Sequence, residues 1–272
     1  MDIIKTLGNS RLYTFHSHTQ FCDGHAQMID FARAAVEARF THYGFSPHSP
    51  VPVDSPCNMS KDDVPAYLDE VDRIRGIYGD KVNFYAGMEI DYLGPEWGPA
   101  VDYFRELPLD FRIGSVHFIP GRDGRIVDID GSAERFIANM PLHFNDDIRY
   151  VVETFFDHSA AMIETGGFDI LGHFDKIAQN ASAYMPGIED SQWYMSLIDD
   201  LIAMIIRHRP IVEINTKSKV AHDRIFPSER YIPRLIDAGI DIIVNSDAHY
   251  PELINASRQY AFTLLDSAND KN

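Results

Sequence analysis

Cysteine is scarce in this chain: 272 residues contain two, Cys22 and Cys57. Two thiols cannot build the multiple cross-links on which small secreted scaffolds depend, and nothing else points to secretion. Basic residues are also in short supply, with 24 Lys and Arg against 41 Asp and Glu, a formal net charge of −17. Nucleic-acid binding wants a basic surface to neutralise phosphates, so this balance argues against such a partner. It leaves open a small phosphorylated substrate, because bound metal charge can reverse the field inside a pocket. No apolar run approaches the roughly 18–20 residues of a membrane span. Met1-Asp2-Ile3-Ile4-Lys5 lacks the basic start and apolar core of a secretory leader. Internal repeats, low-complexity segments and linkers are missing too. Together these absences predict one cytoplasmic domain over residues 1–272, with free thiols and no membrane partner; they say nothing of oligomeric state.

What the chain does have is a hydrophobic content of 45%, enough for a sizeable core, and twelve histidines in a telling arrangement. Phe15-His16-Ser17-His18 opens a series in which metal-ligand residue types close short apolar runs. His48 follows Tyr43-Gly44-Phe45. Glu89 and Asp91 follow Val82 to Met88. His117 follows Phe111 to Val116, His173 follows Phe168 to Gly172, and Asp247 and His249 follow Ile240 to Ser246.

The apolar runs near 12–16, 42–46, 82–90, 111–117, 168–172, 210–215 and 240–245 read as strands. Between them lie helical patterns: 27–39, a capped start at Ser60-Lys61-Asp62-Asp63, 146–164, 190–208, and a helix that Ser228 would cap. Tyr260–Leu264 offers an extra strand. Seven strand–helix units imply a parallel sheet. An open sheet gathers its site at one switch point, whereas here nearly every strand ends in a ligand-type residue. The expected fold is therefore α/β, a parallel (β/α)7 barrel of TIM-like form. The longest irregular stretches, 46–60 and 118–145, are expected to be loops over its mouth.

A set of His, Asp and Glu at one face is what a multinuclear metal centre requires. His16 and His18, two apart on a strand, share a face. Glu89 has two oxygens and can bridge two cations, which an imidazole cannot. Each residue also has an ordinary reading, as a core histidine or a rim carboxylate; their shared position favours ligation. His42, His143, His158, His208 and His222 are read as ordinary helix, loop or strand-start residues.

With these residues in view, the chain resembles the polymerase and histidinol phosphatase (PHP) superfamily. The matching motifs are His16-Ser17-His18 with Asp23-Gly24, His48, Glu89, His117, His173 and Asp247-Ala248-His249. Ser46-Pro47-His48-Ser49-Pro50, Gly87 to Tyr92, Gly114 to Phe118 and Gly172 to Asp175 are similar to the stand-alone histidinol-phosphate phosphatases. Ser46-Pro47 departs from the acidic residue or threonine more usual before the histidine. The resemblance implies that the parallel (β/α)7 barrel is distorted, and it implies a centre of two or three divalent ions (Zn, Fe or Mn) and hydrolysis of a phosphomonoester, L-histidinol phosphate in histidine biosynthesis. It implies one ion on His16, His18, Glu89 and Asp247, a second on Glu89, His117 and His173, and a third on His48, His249 and a first-loop residue, Asp23 or His25.

Such a centre would neutralise the transferring phosphoryl group and supply a nucleophile for in-line attack. Glu89 and Asp247 are the expected catalytic carboxylates, with Asp247 a candidate for helping the leaving group. Lys176 and Lys217 are candidate cations for the phosphate. Asp54, Asp91, Tyr92 and Asp128 are candidates for recognising the substrate's amine and imidazole. The rival readings are a hydrolase of another phosphorylated metabolite or nucleotide, and a noncatalytic metal-binding protein; phosphate release by the metallated protein separates them.

Overall fold

The computed structural model describes residues 1–269. In chain order its strands are Tyr13–Thr14 (β1), His42–Phe45 (β2), Asn83–Ala86 (β3), Glu89–Asp91 (β4), Ile113–Ser115 (β5), Phe118–Pro120 (β6), Ile126–Asp128 (β7), Ile170–Leu171 (β8), Ile211–Asn215 (β9) and Ile242–Asn245 (β10). β1, β2 and β3 pair in that order in one parallel sheet. β10, β9, β8, β5 and β4 pair in that order in a second parallel sheet. The result is a mixed α/β fold with parallel sheets, as the alternation of patterns requires.

The regular ladders form two sheets rather than one closed barrel. Side chains account for both breaks. Between β1 and β10, Phe15 N–H donates to Asn245 Oδ1 (2.8 Å) and Val244 N–H donates to the Tyr13 hydroxyl (3.0 Å), in place of a continuous backbone ladder. Between β3 and β4 the chain is interrupted at Gly87-Met88, beside the Phe111 ring. A Cβ on Gly87 would lie 2.1 Å from that ring and one on Gly44 2.6 Å, so the ring fills room that only glycine leaves. Phe111 and Phe15, edge to face with centroids 5.1 Å apart, belong to one buried cluster beneath the strand ends. Isolated parallel bridges, Ser17 with Ala248 and His48 with Glu89, bring the two sheets together past those ends.

The helices follow from their apolar spacing. Met28–Glu37 buries Met28, Phe31, Ala32 and Ala35, one face of a 3.6-residue period. Ser60 Oγ accepts Asp63 N–H and starts the turn that leads into Val64–Tyr78, which buries Tyr67, Val71 and Ile74. Asp147 and Ser191 cap Ile148–Thr165 and Gln192–His208 in the same way.

Three expectations need correction. Tyr260–Leu264 lies inside the helix Arg258–Asn269, because Arg258, Ala261 and Phe262 are buried at helical and not alternating spacing. Ser228 makes no side-chain cap; its N–H donates instead to Asp175 Oδ2 (2.8 Å). The stretch 118–145 is largely regular. β6 and β7 pair antiparallel around Gly121-Arg122-Asp123-Gly124, and the helix Ala133–His143, capped by Ser132, follows. Among the described residues no helix is long and apolar enough to cross a membrane. Both cysteines are unpaired.

Candidate metal centre

The centre is organised around Glu89, fully buried at the start of β4. Its two oxygens face different imidazoles. Oε2 lies 3.1 Å from His16 Nε2, 3.5 Å from His18 Nε2 and 3.1 Å from His48 Nδ1. Oε1 lies 2.9 Å from His173 Nε2 and 3.5 Å from His117 Nε2. Asp247 adds a second focus: its Oδ1 is 3.1 Å from His18 Nε2 and 3.5 Å from His249 Nδ1. Asp247 sits at φ +50°, a left-handed conformation that Asp tolerates better than most residues and that aims its side chain inward. Asp23 adds the third, with Oδ1 3.3 Å from His249 Nε2 and 3.8 Å from His48 Nε2.

These residues fit divalent cations on an observation independent of their type. His16 Nε2, His18 Nε2, Asp23 Oδ1, His48 Nδ1, Glu89 Oε2 and Asp247 Oδ1 are all buried and lack a hydrogen-bond partner. Buried polar atoms are rarely left unpaired, because each costs about 1–3 kcal/mol. Six of them converging in one place make sense as ligand atoms. Four overlapping groups place one such atom per residue within 4.8 Å: His18, Asp23, His48 and His249; His16, His173 and Asp247; His16, His18 and Glu89; His48, Glu89 and His117.

The electrostatics agree. Burial penalises the Glu89 carboxylate, but His16, His117 and His48 outweigh it and hold the group well below the usual carboxylate range. Burial likewise opposes the His16 imidazolium, yet Glu213, Glu89 and Asp247 hold it well above its ordinary value. His117 is pushed up to about 10 against burial, by Asp91 and Glu89. His18 goes the other way: burial and then the neighbouring His249 and His48 depress it. Protons on some imidazoles thus balance the carboxylates, and cations binding there would displace them.

The PHP domain profile matches residues 14–217. The chain belongs to the PHP domain family. It is 25% identical over 269 residues to a Schizosaccharomyces pombe protein named "Probable histidinol-phosphatase", covering 92% of this chain and 85% of that one. Its fold is similar to that of hisK from Listeria monocytogenes, with a TM-score of 0.78 at 20% identity over 91% of this chain and 99% of the other. It is also similar to a Lactococcus lactis histidinol phosphate phosphatase solved with zinc, L-histidinol and phosphate. There the TM-score is 0.69 at 17% identity, over 94% of this chain and 93% of the other.

In this PHP domain, His16, His18, Asp23, His48, Glu89, His117, His173, Asp247 and His249 come together at one face. His25 does not. Its N–H donates to His249 O (2.8 Å), and its exposed ring is turned outward onto Tyr250, centroids 4.4 Å apart. Lys217 Nζ lies 3.5 Å from Asp247 Oδ1 and 3.2 Å from His249 Nε2. Lys176 is buried, with Nζ 3.3 Å from Asp130 Oδ2.

The acids and aromatic expected to read the substrate are mostly engaged elsewhere. Asp91 is buried behind His117, accepting its Nδ1–H (2.8 Å) and N–H (3.1 Å). Tyr92 packs edge-on against His158. Asp54 is exposed in an adjoining groove with Arg125 and His143, which shares Phe118 and Asp128 with the mouth. Asp128 does line the mouth, but its carboxylate is taken up by its own turn and by Arg135.

Sequence reasoning missed Glu213, a buried carboxylate in mid-strand β9. It accepts His16 Nδ1–H (2.7 Å) and Asn245 Nδ2–H (2.9 Å) on Oε1, and His173 N–H (3.3 Å) and Asn215 Nδ2–H (3.1 Å) on Oε2. A charged residue between apolar neighbours, in Ile211-Val212-Glu213-Ile214, was the available signal. Glu213 leaves Nε2 of His16 free to ligate and fixes its tautomer. Glu213→Gln puts an amide NH2 against two donors. Metal affinity is expected to fall by about 10–100-fold, measured by competition with a chromogenic chelator. Wild-type affinity in this variant would remove the role.

Proposed function

We propose that this PHP domain protein is a metal-dependent phosphomonoesterase that converts L-histidinol phosphate to L-histidinol and phosphate in histidine biosynthesis. The observation that carries the reading is the Glu89 hub, with both carboxylate oxygens facing imidazoles and its own Oε2 one of six unpaired ligand atoms gathered there. The named S. pombe relative and the ligands of the L. lactis structure support the substrate. In this reading His16, His18, Glu89 and Asp247 hold one ion, Glu89, His117 and His173 a second, and Asp23, His48 and His249 a third. Zinc, iron and manganese all suit such imidazole and carboxylate donors.

Bound divalent cations supply charge neutralisation for the phosphoryl group and a nucleophile at neutral pH. The chain's own residues do the rest. Lys217, at the mouth beside Asp247 and His249, orients the phosphoryl oxygens, and Lys176 lies behind it as a second cation. Burial works against the Asp247 carboxylate, but Lys217 and His16 hold it well below its usual range, so it stays ionised. It can therefore accept a hydrogen bond near the leaving oxygen but not donate a proton. The same proposal takes the chain as one domain over 1–272. Its two sheets are then a distorted seven-stranded barrel, with β3 and β4 as one interrupted strand and the two isolated bridges closing the ring. It also takes the protein as cytoplasmic, without a nucleic-acid partner.

The test is phosphate release by protein loaded with zinc, manganese or iron and by protein stripped with chelator. Activity is expected only after loading. An active metal-free protein would overturn the reading, and a marked preference for a nucleotide would change the substrate but keep the phosphoesterase.

A further inference from the structure

Asp130 stands on a partition. One cavity, at the mouth of the metal centre, is lined by Asp23, His48, His117 and Phe118. A second, behind it, is lined by Lys176, Gln179, Ser218 and His222. Asp130, Gly131 and Lys217 line both. The partition is firmly built. Asp128 Oδ1 accepts the N–H groups of Asp130 (2.9 Å) and Gly131 (3.2 Å), and buried Asn180 donates to Ile129 O and Gly131 O, both at 2.9 Å.

Of the two mouth acids that are not candidate ligands, Asp128 is occupied: Oδ1 holds this turn, and Oδ2 lies 3.3 Å from Arg135. Among the described residues the Asp130 carboxylate has one ion-pair partner, a primary ammonium, with Lys176 Nζ 3.3 Å from Oδ2. Lys176 is 7% exposed and lies over the Phe226 ring. Its N–H donates to His173 O (2.8 Å), so the side chain starts next to a candidate ligand.

We propose that Asp130 is the specificity-determining carboxylate that binds the cationic amine of an aminoalcohol phosphate, and that Lys176 holds that place until substrate arrives. The proposal rests on the substrate reading above. A phosphate monoester entering the mouth brings two negative charges towards Lys176 and one ammonium towards Asp130. Two ion pairs then exchange partners: Lys176 turns to the phosphoryl group and Asp130 takes the amine. No charge is left unpaired during the exchange, which is what a partly buried site requires. An ester without the amine cannot complete it, because freeing Lys176 would strand Asp130. Recognition of the two ends of the substrate is thereby coupled.

The experiment compares histidinol phosphate with its des-amino analogue on metal-loaded wild type, Asp130→Asn and Lys176→Met. Metal content and thermal midpoint serve as folding controls. Wild type is expected to favour the amine in kcat/KM on the order of tenfold or more. In Asp130→Asn that ratio should collapse towards unity, mostly through KM for the aminated ester. Lys176→Met should weaken both esters yet keep a preference for the amine. An Asp130→Asn enzyme that keeps the wild-type ratio, or loses both esters equally, overturns the proposal alone. A wild type that treats both esters alike also overturns this proposal but leaves the substrate reading standing, which fails instead if histidinol phosphate does not exceed p-nitrophenyl phosphate.

Discussion

Glu89→Gln is expected to lower phosphate release on the order of 10³-fold or more, about 4 kcal/mol of transition-state stabilisation, while the protein stays folded. Glutamine keeps the volume, so the surrounding packing survives. It loses the charge and replaces one of two acceptor oxygens with a donor. Either way round, the NH2 group faces trouble. On the Oε2 side it meets His16, His18 and His48; on the Oε1 side it meets His173, His117 and the Ser115 hydroxyl, which now donates to Glu89 at 2.7 Å. A side chain that could serve two ions as a carboxylate would then serve at most one as an amide. Elemental analysis should find fewer ions per chain, and circular dichroism should match wild type. A variant with full metal content and full activity would remove Glu89 from the centre of the mechanism.

Histidinol phosphate is expected to exceed p-nitrophenyl phosphate in kcat/KM by roughly 10²- to 10⁴-fold, from two charge-assisted contacts at about 1.5–3 kcal/mol each. In the proposed reading bound metals would contact only the phosphoryl group, which every monoester shares. Discrimination must come from residues that meet the rest of the molecule. Cys57 and Asn58 from the first mouth segment, and Phe118, Asp130 and Gly131 from the second, line the cavity. Phe118 offers an aromatic face for an imidazole, and Asp130 a carboxylate for an amine. Steady-state kinetics on the two esters at equal metal loading would decide it. Equal values would leave a phosphoesterase without this substrate.

Much of the candidate centre was legible because a parallel α/β fold places strand ends at one face, and this chain repeats the same grammar at nearly every strand. An apolar run closing in His, Glu or Asp needs no coordinates to be noticed. The supporting residues were illegible for the same reason. Glu213 lies within its strand, and its bond to His16 spans 197 positions. Asp91 reads as an acid that could recognise the substrate and proves to be buried behind His117. No local pattern distinguishes a carboxylate that faces a pocket from one that braces the imidazole lining it.

The sequence by itself determined the α/β alternation, the acidic balance, and the kind and order of residues gathered at the strand ends. Those properties are local, since each follows from side-chain chemistry and a period of two or 3.6 residues. Only the tertiary structure shows which of Asp23 and His25 faces the other candidate ligands. They are two residues apart, and both are plausible ligands by type. A Cβ on Gly24 would lie 2.3 Å from the His18 carbonyl, so the turn closes tightly there. With His25 N–H bonded to His249 O, Asp23 faces the imidazoles and the His25 ring lies on Tyr250. The tertiary structure also decided that Lys176 pairs with Asp130 and that the ladders stop short of a continuous ring. These outcomes depend on distances between residues far apart in the chain, which packing sets and periodicity does not encode.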